Sequence, residues 1–209
     1  SSTGGGSDAD ADFSLDNFVV ENATVIYRDD MARSIETIEK LNATFAAASL
    51  QGPFESVGSL VARGFPLEYT LSVGRIIEQR TAPVSLTVGL EPGQTKTTIS
   101  GAIVGLDETP YFKGVVKATG TNLAQLLQSL GPNRSMPGML GQKFGVEGEV
   151  EVSQKTAEIK NLILNLGKAI AKGDVSATLE ETISANLDLA VDSIDLDTWL
   201  ALPDVKRAI

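Results

Sequence analysis

The chain contains no histidine and no cysteine. Without histidine there is no Ser-His-Asp arrangement, and the commonest general base and metal ligand are both missing. Without cysteine there is no disulfide scaffold, no thiol nucleophile and no cysteine-based zinc site. The redox compartment is therefore not readable, although a cysteine-free chain suits an oxidising space. Aromatics are scarce, with 7 Phe, 3 Tyr and 1 Trp among 209 residues. Basic residues are the minority: 17 Lys and Arg stand against 27 Asp and Glu, a formal charge of −10. Nucleic-acid binding needs the opposite sign, so no nucleic-acid partner is expected. No apolar run approaches the ~20 residues of a membrane-spanning helix, and no secretory signal pattern opens the sequence. Any anchor or export signal is expected to lie outside this chain. For catalysis only carboxylate or lysine chemistry remains, with a carboxylate-based hydrolase as the residual enzyme class. The expectation is a protein that is not an enzyme and holds no cofactor or metal.

What is present is alternation. Leu67, Tyr69, Leu71 and Val73 alternate with Glu68, Thr70 and Ser72. Val84, Leu86, Val88 and Leu90 alternate with Ser85, Thr87 and Gly89. Val146, Gly148, Val150 and Val152 alternate with Glu147, Glu149 and Glu151. Period two means strands with one buried and one wet face, the mark of an antiparallel sheet. Three glutamates on one side require that side to be solvated. Turn residues separate these runs. In "EPGQ" (Glu91 to Gln94), Pro92 sets φ and Gly93 supplies a positive φ. "SQKT" (Ser153 to Thr156) links the glutamate strand to "EIKNLILNL", and "KGDVSATLEETISANLDLAV" reads as two further strands. Short links at even spacing predict a meander.

Two stretches read as helical. "TNLAQLLQSLG" places Leu123, Leu126, Leu127 and Leu130 on one stripe, with Asn122 as N-cap, Gln125 three residues on and Gly131-Pro132 as the stop. "LDTWL" offers Asp197 as an N-cap before Trp199. The segment from Ile35 to Leu50 fits either a helix or a strand with Glu39, Leu41, Ala43, Phe45 and Ala47 on one face. Residues 1–12, "SSTGGGSDADAD", read as a disordered acidic linker or an appended remnant; the β-rich domain is expected over 13–209. A weak repeat at an offset of about 72 residues relates the segments starting at Ile99 and Ala171.

Other constellations have simpler readings. Asp188, Asp192, Asp195 and Asp197 suggest calcium chemistry but do not match a loop such as the EF-hand's, so solvated edge and N-cap roles are expected. Asn22, Asn42 and Asn133 begin sequons that arise by chance. Tyr27 to Asp30 reads as a turn at a strand end, and "GPNRSMPGMLGQ" (Gly131 to Gln142) as a linker with two methionines.

"FSLDNFVVENATVIYRDD" (Phe13 to Asp30) resembles the recurring segment of AsmA-like proteins, in Leu15-Asp16-Asn17 and then Asn22-Ala23 to Tyr27 and Asp29. "LNATFAAASLQGPFESVGSL" resembles the part that follows, with Leu41-Asn42, Ser49-Leu50 and Gly52-Pro53; "SIDLDTWL" (Ser193 to Leu200) resembles the closing motif. The similarity covers nearly all of Phe13 to Leu200. It implies a segment of a Gram-negative envelope protein, periplasmic and tethered to the inner membrane through a segment outside this chain. It implies a role in phospholipid transport or outer-membrane biogenesis through an apolar β-groove, an architecture shared with bridge-like lipid transfer proteins. It also favours a strand for Ile35 to Leu50. The expected partners are phospholipid or other acyl chains, the rest of a longer protein, and the membrane.

The combined expectation is an all-β or β-rich fold. It is a curved antiparallel sheet, a groove-like meander, with one or two short helices on its apolar face. The expected lipid-contacting residues are Leu67, Leu71, Val73, Val84, Leu86 and Val88 in the first half. In the second half they are Val146, Val150, Val152, Leu187, Leu189 and Val191. The competing expectation is a closed β-sandwich, a structural or interaction module that binds protein partners in the envelope through an edge strand.

Overall fold

The computed structural model describes residues 14–29, 34–78, 80–130, 138–179 and 183–192. The alternating segments form strands β1 (Leu15–Asp29), β2 (Ser34–Ala47), β3 (Phe54–Ala62), β4 (Phe65–Val73), β5 (Thr81–Leu90), β6 (Thr95–Val104) and β7 (Tyr111–Gly120). The one α-helix among the described residues, α1 (Leu123–Leu130), precedes β8 (Phe144–Val152), β9 (Thr156–Leu166), β10 (Ala169–Leu179) and β11 (Ile183–Val191). All eleven strands belong to one sheet, and their spatial order is their chain order. Every pairing is antiparallel. The sheet is curved and unclosed, so the closed sandwich does not form. No second layer of this architecture exists among the described residues, because every substantial strand–strand contact joins sequence neighbours.

The ambiguous segment is strand β2. Its register slips between Glu39 and Asn42, where Lys40 takes a positive φ of 51°. The bulge brings Ile38, rather than Glu39, onto the face of Leu41, Ala43, Phe45 and Ala47. Asn22 in β1 and Asn161 in β9 adopt the same left-handed conformation, φ 47° and 53°. Each bulged N–H is taken up by the next strand: Asn22 donates to Asn42 Oδ1 and Asn161 to Asp174 Oδ1, both at 2.9 Å. Bulges of this kind increase local twist and bend a strand.

The hairpin links alternate between the two ends of the sheet. Gly93 has the expected positive φ, 67°, and Ser153 N–H donates to Thr156 O at 2.8 Å. Helix α1 lies at one end, against the 3-10 turns Pro92–Gln94 and Gly138–Gly141. Phe144 is buried there beside Gly120. The second predicted helix at Asp197, the segment Ser193 to Leu200 and residues 1–12 lie outside the described residues. Among the described residues no helix is long and apolar enough to cross a membrane.

Candidate functional site: an uncovered apolar face

Strand register converts the alternation into continuous ladders. One runs Leu15, Ala47, Phe54, Val73, Val84, Gly101, Gly114, Val150, Ile159, Val175 and Leu187, each residue paired with the next. A second runs Val20, Ala43, Gly58, Tyr69, Val88, Thr97, Ala118, Val146, Leu164, Ala171 and Val191. Both cross all eleven strands on the same face, without a charged residue. At ~4.8 Å per strand the apolar path is roughly 48 Å long, measured along the curve.

All twelve sequence-predicted contact residues fall on this face. Leu71 pairs with Leu86, and Leu67 with Leu90. Val152 pairs with Phe112 and Ala157, and Leu189 with Gly173. The register adds residues that alternation alone did not single out, among them Ile99, Val116, Ile159, Leu164 and Val175. At its centre Gly101 faces Gly114. A Cβ on either would run into the backbone of the other strand, so the pair permits a close approach that side chains would block.

Among the described residues nothing seals this face. The buried apolar residues among those described are only Ala43, Ala47, Ala82, Phe144, Leu162, Leu166 and Ala171. A two-layer protein would bury its large aliphatics instead. Here Leu71, Val84, Leu86, Val146 and Val150 are half-buried, covered sideways by ladder neighbours but not from above. At the last strand Leu187 is 65% exposed.

Three polar side chains of this face bond locally. Ser56 Oγ and Tyr69 OH lie 3.0 Å apart, and Thr95 Oγ1 donates to Pro92 O. No buried side-chain polar atom among the described residues lacks a partner. At the β1–β4 end of the face, Phe18, Phe45, Phe54, Leu15 and Leu71 line a cleft of about 460 Å³. The Phe18 and Phe45 rings are tilted by 45° with centroids 6.2 Å apart, within the range over which aromatic rings attract. Sequence reading missed this cluster because the phenylalanines come from three strands. Its only local sign was the aromatic share of "NFVV", "ATFAA" and "GPFES".

The opposite face carries the charge. Glu147, Glu149 and Glu151 are exposed, as three neighbouring carboxylates require. Lys117 meets Glu147 at 2.8 Å, and Lys160 meets Glu158 at 3.0 Å. The hydrogen bond and negative charge of Glu158 raise the pKa of Lys160 above the ordinary lysine value, and Glu151 and Asp174 add to the effect. A hollow of about 730 Å³ on this side is lined by Thr44, Thr70 and Thr87 with Glu21, Glu68 and Lys96. Val19 and Val57 also line it, so the hollow mixes polar and apolar groups.

No three carboxylate, histidine or cysteine side chains converge as a metal would need, among the described residues. Asp192 Oδ1 accepts the Ile170 N–H at 2.9 Å, an edge-capping role; Asp188 is exposed on β11, and Asp195 and Asp197 lie outside the described residues. Comparison of the chain with protein-family models, with curated proteins and with solved structures finds no match.

Proposed function

We propose that this chain handles lipid through its apolar face, as an AsmA-like segment of the bacterial envelope that takes part in phospholipid transport or outer-membrane biogenesis. The observation that carries this reading is the pair of uncharged ladders that cross eleven strands with no layer above them among the described residues. The physical task is to keep acyl chains out of water. Each methylene is worth about 0.8 kcal/mol, so ~15 methylenes cost on the order of 12 kcal/mol to expose. That is a factor of about 10⁹ in population. A continuous aliphatic surface removes most of this penalty without bond chemistry. Valine, leucine and alanine suit the task because they contact hydrocarbon without a preferred geometry, and the satisfied Ser56–Tyr69 pair presents no unmet demand to it.

The test uses the native chain and Val150→Asp. Val150 lies mid-ladder and half-buried, so its carboxylate reaches water across the open face. Native mass spectrometry of protein purified gently from bacteria is expected to show bound phospholipid. Val150→Asp is expected to lower uptake of a fluorescent phospholipid by about tenfold or more, roughly 1.4 kcal/mol or more, with an unchanged β spectrum. A native chain that carries no lipid and takes none up would refute the reading. Unfolding by Val150→Asp would show that the face is a sealed core.

A further inference from the structure

We infer that β11 is a self-pairing edge, through which two copies of the chain join into one continuous antiparallel sheet. An unpaired edge strand is a template for another strand, and natural proteins usually blunt it with lysine, proline or a bulge. Among the described residues β1 and β11 are the two edges of the sheet, and they differ. β1 is interrupted, with register shifts between Leu15 and Phe18 and again around Asn22 and Ala23. β11 is in unbroken register with β10 along its whole length. Its sequence, ISANLDLAV, has no proline and no lysine.

The direction of its free groups can be worked out. Asp192 N–H donates to Ile170 O, and the Asp188 carbonyl lies against Gly173, so these even-numbered residues bond towards β10. Alternation then turns the N–H and C=O of Ala185, Leu187 and Leu189 away from the sheet. These are the groups that a new antiparallel strand would pair.

A second copy fits this edge under a two-fold axis through Leu187, perpendicular to the sheet. Leu187 then meets Leu187, and Ala185 meets Leu189, on the apolar face. On the polar face Asn186 meets Asp188, and Ser184 meets Ala190. No like charges stand opposite one another; the one carboxylate, Asp188, faces a neutral amide. The same axis maps the apolar face onto itself, so the ladder that ends at Leu187, 65% exposed, continues into the partner. This is an isologous interface, in which one patch complements itself.

The chain's lack of cysteine makes the test direct. At the axis, two Leu187→Cys residues would have Cα atoms about 5.5 Å apart, within the range a disulfide spans. Two Asn186→Cys residues would not meet, since position 186 faces 188. The native chain is expected to show a dimer mass by light scattering that dissociates on dilution. Ala185→Pro removes one outward N–H and is expected to give a folded monomer. Leu187→Cys is expected to oxidise to a covalent dimer and Asn186→Cys to stay single. A folded native chain that is monomeric at every concentration would overturn the proposal, including where the chain's own residues occupy the edge. Equal cross-linking at both positions would overturn it too. If Ala185→Pro fails to fold, the contrast between the two cysteine variants decides alone. Lipid uptake is not read in any of these arms, so failure here leaves the proposed function standing or falling separately.

Discussion

Asn161 shows how much one residue can carry. It sits mid-strand at φ 53°, where most side chains incur a penalty of roughly 1–2 kcal/mol. Its backbone N–H is held by Asp174 Oδ1, and its Nδ2 donates to Glu149 Oε1 at 3.2 Å. The residue therefore ties β8, β9 and β10 together at a point where the ladder shifts. Asn161→Gly is expected to be close to neutral, because glycine accepts the same backbone conformation. Asn161→Val is expected to cost about 1–2 kcal/mol, read as a lower urea midpoint at unchanged slope. Equal stability of the two variants would show that the bulge is not fixed by backbone conformation.

At the level of the element, helix α1 is set by local chemistry that the sequence announces. Asn122 Oδ1 accepts the Gln125 N–H at 3.0 Å, as an N-cap should. Gln125 does not complete a capping box. Its side-chain oxygen instead accepts the Gly93 N–H at 3.0 Å and binds the helix to the β5–β6 turn. Asn122→Ala is expected to cost about 1 kcal/mol, and Gln125→Ala to release the 92–94 turn, seen as faster amide exchange at Gly93 while exchange at Gly64 stays the same.

Strands β4, β5, β8 and β10 could be read from the sequence because each keeps a strict two-residue period with a turn at its end. The bulged strands were harder. In β2 the extra residue at Lys40 displaces the period by one, so apolar residues fall at intervals that a helix also gives. β3 was obscured by Gly58, which sits among the small residues of "ESVGSLVA" on the apolar face. Position on the apolar face followed from alternation for all twelve expected residues. What alternation could not supply was register, and only register shows that separate strands align into unbroken ladders. Nor could it show the absence of a covering layer, because a sealed core and an open face demand the same residues.

At the scale of the whole sheet, the substantial strand contacts among the described residues join sequence neighbours alone. Stability is then close to a sum of neighbour terms, as in repeat proteins, and openings begin where a strand has one neighbour. Backbone amide exchange under native conditions is expected to be slowest in β5 to β8 and to quicken towards β1 and β11 at low protein concentration. Uniform protection across all strands would mean that the sheet opens only as a unit. The absence of histidine removes the side chain whose ordinary pKa lies nearest neutrality.

Because chain order and spatial order coincide among the described strands, pulling β1 and β11 apart across the sheet would load the hydrogen bonds one strand at a time, as a zip is drawn, rather than shearing them together. A molecule built this way yields at low force in many small steps. It can also gain or lose a hairpin in the course of evolution without a new topology, so its span is an adjustable dimension.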